Sequence, residues 1–66
     1  MTIIINGIKK TYKTSLTLET LLNELDHARK KVAIEVNDEI IPRSQYKNKL
    51  VVDGDKIEII NAVGGG

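Results

Sequence analysis

Apolar positions change spacing along the chain, and the changes mark out its elements. Ile3-Ile4-Ile5 and the stretch opening at Ile8 flank Asn6-Gly7, a pair that supplies the positive φ angles of a two-residue hairpin turn. Strands are predicted over residues 2–6 and 8–13. Leu18, Leu21, Leu22 and Leu25 then follow the i, i+3, i+4, i+7 spacing of one helical face. Thr17 stands at the N-cap, Glu19 lies in the first turn where the helix dipole favours an anion, and Arg29-Lys30-Lys31 follow the carboxyl end. Val32, Ile34 and Val36 alternate with Ala33 and Glu35 as a strand with one buried face. Asn37-Asp38-Glu39 turns the chain into a brief strand at Ile40-Ile41, placed at a sheet edge by Pro42, which has no N–H for a central ladder. Residues 44–49 read as a polar turn or a short helical turn. Leu50-Val51-Val52 leads into the tight turn Asp53-Gly54-Asp55, and residues 56–60 form the last strand.

With one helix available, Leu18, Leu21, Leu22 and Leu25 must lie across one face of the sheet. The order ββαββ(β) predicts an α+β roll, a mixed four- to five-stranded sheet with one main helix packed on one face. A single domain is expected over residues 1–60, followed by a flexible glycine tail over residues 61–66.

Composition supports the sheet: of 27 apolar residues among 66, 10 are Ile and 5 are Val, and β-branched side chains favour strands. A chain of this length buries only about 60% of its unfolded surface, which excludes a two-domain enzyme with a deep pocket. Without cysteine, disulfides, thiolate metal sites and thiol nucleophiles drop out, and a reducing cytoplasm is the expected location. A net charge of +1 and two aromatics, Tyr12 and Tyr46, argue against a nucleic-acid partner. The apolar opening is too short for a signal peptide or membrane span.

The unusual feature is Gly64-Gly65-Gly66. Glycines at a carboxyl end add nothing to a core, but a chain without side chains is thin enough to thread into a narrow channel of another protein. It then presents its carboxylate at the far end. A carboxylate is a poor electrophile until an oxygen becomes a leaving group, and this chain has no phosphate loop and no catalytic carboxylate pair with which to activate itself. His27 has no nucleophile partner and reads as a surface residue of the helix end. Arg29-Lys30-Lys31 complement the helix dipole, and Asp53 and Asp55 provide turn chemistry, too few ligands for a calcium loop. Arg43 after Pro42 either faces a partner or simply ends the strand. Ile60, Ala62 and Val63 beside the tail are candidates for partner contact.

Taken together, Ile3-Ile4-Ile5-Asn6-Gly7, Thr17-Leu18-Glu19-Thr20-Leu21-Leu22, the stretch from Val36-Asn37 to Ile41-Pro42-Arg43, Asp53-Gly54-Asp55-Lys56-Ile57 and Val63-Gly64-Gly65-Gly66 resemble the sulfur carrier proteins of thiamin biosynthesis, the ThiS family. The resemblance spans the chain and implies the β-grasp, ubiquitin-like fold. It further implies that the Gly66 carboxylate is adenylated by an E1-like, ThiF-type enzyme that consumes ATP, becomes a thiocarboxylate with sulfur from a donor protein, and delivers it to a ThiG-type thiazole synthase. Gly64 and Gly65 would thread into the partner sites. The carrier would bind no cofactor and would be a co-substrate rather than an enzyme. Three other readings stay open: a molybdopterin-synthase small-subunit-type carrier, a ubiquitin-like modifier, and a β-grasp binding module in which the tail is irrelevant.

Overall fold

Asn6 and Gly7 adopt φ angles of +48° and +83°, and the turn they make folds β1 (Thr2–Ile5) back onto β2 (Ile8–Thr11). The computed structural model describes residues 1–25 and 31–61. Next come β3 (Leu16–Thr17) and α1 (Leu18–Glu24). The Thr17 hydroxyl accepts the Thr20 N–H at 3.1 Å, which makes it the expected N-cap. After α1 the chain forms β4 (Val32–Val36), β5 (Glu39–Ile41), a 3₁₀ turn (Arg43–Gln45), β6 (Leu50–Val51) and β7 (Lys56–Asn61). The last strand thus runs one residue beyond the expected 56–60, pairing Asn61 with Val32.

Five strands form one mixed sheet in the order β2-β1-β7-β4-β5, in which only the β1–β7 pair is parallel. Alternation puts Ile3 and Ile5, Ile57 and Ile59, and Val32, Ile34 and Val36 on one face, where they pack with Leu18, Leu21 and Leu22 of α1 in a single buried cluster. Leu25 is half-buried just past the helix. β5 lies at the edge and stops before Pro42, as its missing N–H requires.

Residues 16–17 and 50–51 depart from the sequence reading. They form a separate antiparallel ribbon, β3 with β6, where the sequence suggests only the approach to a helix and the lead into the Asp53-Gly54-Asp55 turn. Two-residue strands carry no periodicity, so only their pairing reveals them. The polar stretch 44–49 likewise contributes to the core, because Tyr46 is buried. Its carbonyl accepts the Glu19 N–H at 3.1 Å and the Lys49 carbonyl accepts the Leu18 N–H at 2.9 Å. These two bonds satisfy helix-start donors that have no partner within α1.

A polar network ties the turns to the sheet. Asp55, 7% exposed, accepts the Val52 N–H at 2.9 Å and the Asn37 side-chain amide at 3.0 Å, while the Asn37 oxygen accepts the Lys56 N–H at 3.0 Å. Asp53 accepts the Thr2 N–H at 2.7 Å. Both aspartates therefore serve the Gly54 turn, where φ is +87°. At the surface, Lys56 and Asp38 form an ion pair at 2.9 Å. No helix among the described residues is long and apolar enough to cross a membrane.

Two truncations separate these contributions. Ile57→Ala, which opens a cavity in the cluster, is expected to lower unfolding free energy by about 2–5 kcal/mol. Asp55→Ala, which strands two donors, should cost about 1–3 kcal/mol. Asp38→Asn, which loses only the exposed pair and keeps a side chain that tolerates the φ of +70° at this position, should leave the urea midpoint close to that of the parent; a midpoint shift as large as that of Asp55→Ala would contradict this ranking.

Candidate functional site

β7 is the central strand, and being parallel to β1 it runs on past the Asn6-Gly7 turn where β1 ends. Its alternation divides its side chains between two surfaces. Ile57 and Ile59 enter the core, whereas Lys56, Glu58 and Ile60 face the side of the sheet away from α1. Cross-strand register places Ile60 opposite Ala33, Glu58 opposite Glu35, Glu35 opposite Ile40, and Ile4 beside Lys56. The result is an open face with apolar residues around an acidic pair. Ile40 is 73% exposed and Ile60 46%, and Ile4, Glu35 and Glu58 are half-buried.

Directly opposed like charges in a sheet are unfavourable, and Lys56 is the cation beside them. Its ammonium is held above its usual range chiefly by the hydrogen bond and charge of Asp38, with smaller contributions from Glu58 and Glu35. A depression of about 330 Å³ opens on this face between Ile4, Asn6, Gly7, Lys56, Glu58 and Ile60. A second, of about 410 Å³, lies where β2 meets the end of α1, beside Tyr12 and Glu24. There burial, and secondarily the Glu24 carboxylate, push the Tyr12 phenol above its ordinary range, so it stays neutral.

Of the residues expected to meet a partner, Ile60 lies on the open face at the end of β7. Arg43 is exposed and opens the 3₁₀ turn. It follows Ile41 by two residues, and Ile41 shares its register partner Ile34 with Ile59. Arg43 therefore leaves the sheet at the same end as Asn61, with β4 between them. Ala62, Val63, Gly64, Gly65 and Gly66 lie outside the described residues, as do His27, Arg29 and Lys30.

One side chain at this end has a role that the sequence reading assigned only to its backbone. The Asn6 amide reaches across to β7, accepting the Ile59 N–H at 2.8 Å and donating to the Ile59 carbonyl at 3.2 Å. An Asn-Gly turn signal says nothing about where the asparagine side chain goes.

The model of the ThiS family matches residues 3–66. A thiazole synthase of Paramagnetospirillum magneticum is 47% identical over 66 residues, all of this chain but 20% of that protein, so the chain spans about a fifth of its relative's length. The sulfur carrier protein ThiS of Escherichia coli is 32% identical over 66 residues, with both chains covered completely. Among solved structures, the crystal structure of thiamine biosynthesis protein ThiS from Geobacter metallireducens superposes with a TM-score of 0.87 at 33% identity, again over the whole of both chains.

The acidic pair yields a direct expectation for the isolated chain. Glu58→Gln removes one of two opposed charges and should raise stability by about 0.2–1 kcal/mol in urea unfolding at neutral pH and low salt, with the gain shrinking as salt is added. A loss of stability would mean that Glu58 is compensated by neighbours more strongly than Lys56 alone provides.

Proposed function

This chain belongs to the ThiS family, and from that premise we propose that it is a sulfur carrier for the thiazole of thiamin, working in the cytoplasm with the Gly66 carboxylate as the group that bears the sulfur. The observation that carries this reading is the continuity of β7. The strand that leads to Val63-Gly64-Gly65-Gly66 is held in the centre of the sheet up to Asn61, in a chain that aligns end to end with a sulfur carrier of the same length.

In the proposed cycle a carboxylate oxygen of Gly66 attacks the α-phosphorus of ATP in an E1-like, ThiF-type enzyme, and pyrophosphate leaves. The acyl adenylate now has AMP as a leaving group, so a sulfide equivalent from a donor protein attacks the acyl carbon and AMP departs. The thiocarboxylate sulfur is a soft nucleophile that bonds to an electrophilic carbon of the acceptor on a ThiG-type thiazole synthase; an oxygen of the acceptor or of water then attacks the acyl carbon, the acyl C–S bond breaks, the sulfur stays on the acceptor and the carboxylate is regenerated. Gly64 and Gly65 have no β-carbon to widen the thread that enters these sites. The presence of a related segment within a thiazole synthase supports that partner. The carrier itself contributes recognition and delivery while its partners supply the catalysis.

The open face around Ile60 is where we place the first contact with the activating enzyme, since exposed apolar side chains at the tail end can be buried on docking.

The test is the intact mass of the chain after incubation with a ThiF-type enzyme, ATP and a sulfur donor, beside a chain lacking Gly66. The expected outcome is the mass change of one oxygen replaced by sulfur, in the full-length chain only. Ile60→Asp is expected to raise the carrier concentration needed for half-maximal loading roughly tenfold, equivalent to about 1.4 kcal/mol of docking energy. Loading that is unaffected by removal of Gly66 would exclude the terminal carboxylate as the sulfur-bearing group.

A further inference from the structure

We propose that Asn6 is a positioning residue, whose side-chain amide sets the register in which β7 runs past the end of β1 toward Gly66. The Asn6 main-chain N–H donates to the Ile57 carbonyl at 2.9 Å, a rung of the parallel β1–β7 ladder. There β1 turns away, because Asn6 and Gly7 take positive φ angles. The ladder nevertheless continues: the Ile59 N–H donates to Asn6 Oδ1 at 2.8 Å and Asn6 Nδ2 donates to the Ile59 carbonyl at 3.2 Å.

A primary amide offers one acceptor and a donor much as a peptide unit does. The side chain thus takes the place of the next peptide of β1 after the backbone has left the sheet. Ile59 has the Asn6 amide on one side and Ile34 of β4 in register on the other. Two residues later Asn61, the last described residue, is still paired with Val32. The hairpin does not need this side chain, since glycine satisfies the backbone angles of the turn at least as well. The amide's reach across to β7 is therefore an additional feature, spanning 53 positions of sequence.

This inference rests on the reading of Gly66 as the sulfur-bearing end. Gly66 lies five positions beyond Asn61, at most about 18 Å of extended chain. A slip of one residue at Ile59 would shift the terminus by roughly 3.3 Å. A misplacement of only about 1 Å can cost a reaction on the order of a hundredfold. A carrier whose last strand is held in a fixed register presents its carboxylate to the partner in one register.

The experiment compares the wild-type chain with Asn6→Gly and Val51→Ala, each well below its melting temperature. Asn6→Gly keeps a residue that tolerates positive φ and removes only the amide. Val51→Ala truncates a fully buried residue of β6, outside the five-stranded sheet, and controls for loss of stability. Amide hydrogen exchange of Ile59 is read by NMR, and single-turnover loading is read with the activating enzyme, ATP and sulfur donor over a range of carrier concentrations. In Asn6→Gly the Ile59 amide should exchange on the order of tenfold faster or more. Its maximal loading rate should fall on the order of tenfold while the half-saturating concentration stays within about threefold, because the exposed Ile60 and Ile40 of the docking face are unchanged. Val51→Ala should load at the wild-type maximal rate.

Unchanged Ile59 exchange in Asn6→Gly, wild-type loading by that variant, or an equal rate loss in Val51→Ala would each overturn the positioning role while the carrier reading stands. A wild-type chain that accepts no sulfur would overturn the carrier reading and this role with it.

Discussion

The placement of β7 between β1 and β4 is the constraint on which the other elements depend. Its two neighbours bind it in opposite senses, parallel on the β1 side and antiparallel on the β4 side. Ile57 and Ile59 therefore sit in the middle of the apolar face, with Ile3, Ile5, Ile34 and Val36 around them. α1 closes over that face through Leu18, Leu21 and Leu22. Were β7 to leave the sheet, β1–β2 and β4–β5 would become two separate hairpins, each marginal in water by itself. In a chain this short, the segment nearest the functional end is thus also the one that joins the two halves of the fold.

The same alternation produces the open face proposed for recognition. Because the period of a strand is two, burying Ile57 and Ile59 obliges Lys56, Glu58 and Ile60 to appear on the other face. There they meet Ile4, Ala33, Glu35 and Ile40 across the ladders. One face is covered by the only helix among the described residues, and the other is left with exposed isoleucines around two opposed glutamates. The unfavourable acidic pair is tolerable on a sheet secured by its central strand. The buried Asp55, with its bonds to Val52 and Asn37, holds the two turns at the far end of β7 so that strand and turns keep one register.

Much of this was legible from spacing. The Asn6-Gly7 turn, the Thr17 cap, the leucine stripe of α1, the alternation of residues 32–36 and the edge position of Ile41 before Pro42 each express a preference decided within a few residues. Ile60 was expected to be a candidate for partner contact from its position beside the glycine tail, and the structure puts it on the open face. The ribbon of β3 with β6 was not legible, because Leu16 and Thr17 read locally as the approach to a helix. Tyr46 lies within a polar stretch, and only the docking of that stretch against the start of α1 makes it a core residue. Asn6 had a sufficient local explanation as a turn residue, which concealed the bonds its side chain makes to Ile59.

The sequence alone determined the strands of the main sheet, the helix, which of their side chains seek the core and where the chain turns, and its resemblance to the ThiS family supplied the expectation that the Gly66 end carries the chemistry. Hydrophobic period and turn chemistry are short-range properties, so they can be read from neighbouring residues. The tertiary structure decided that the last strand lies beside the first and parallel to it, that residues 16–17 pair with residues 50–51, and that an asparagine amide extends a ladder its own backbone has left. Those arrangements are contacts between residues distant in sequence, chosen by the packing of the whole core around β7, and no local pattern encodes them.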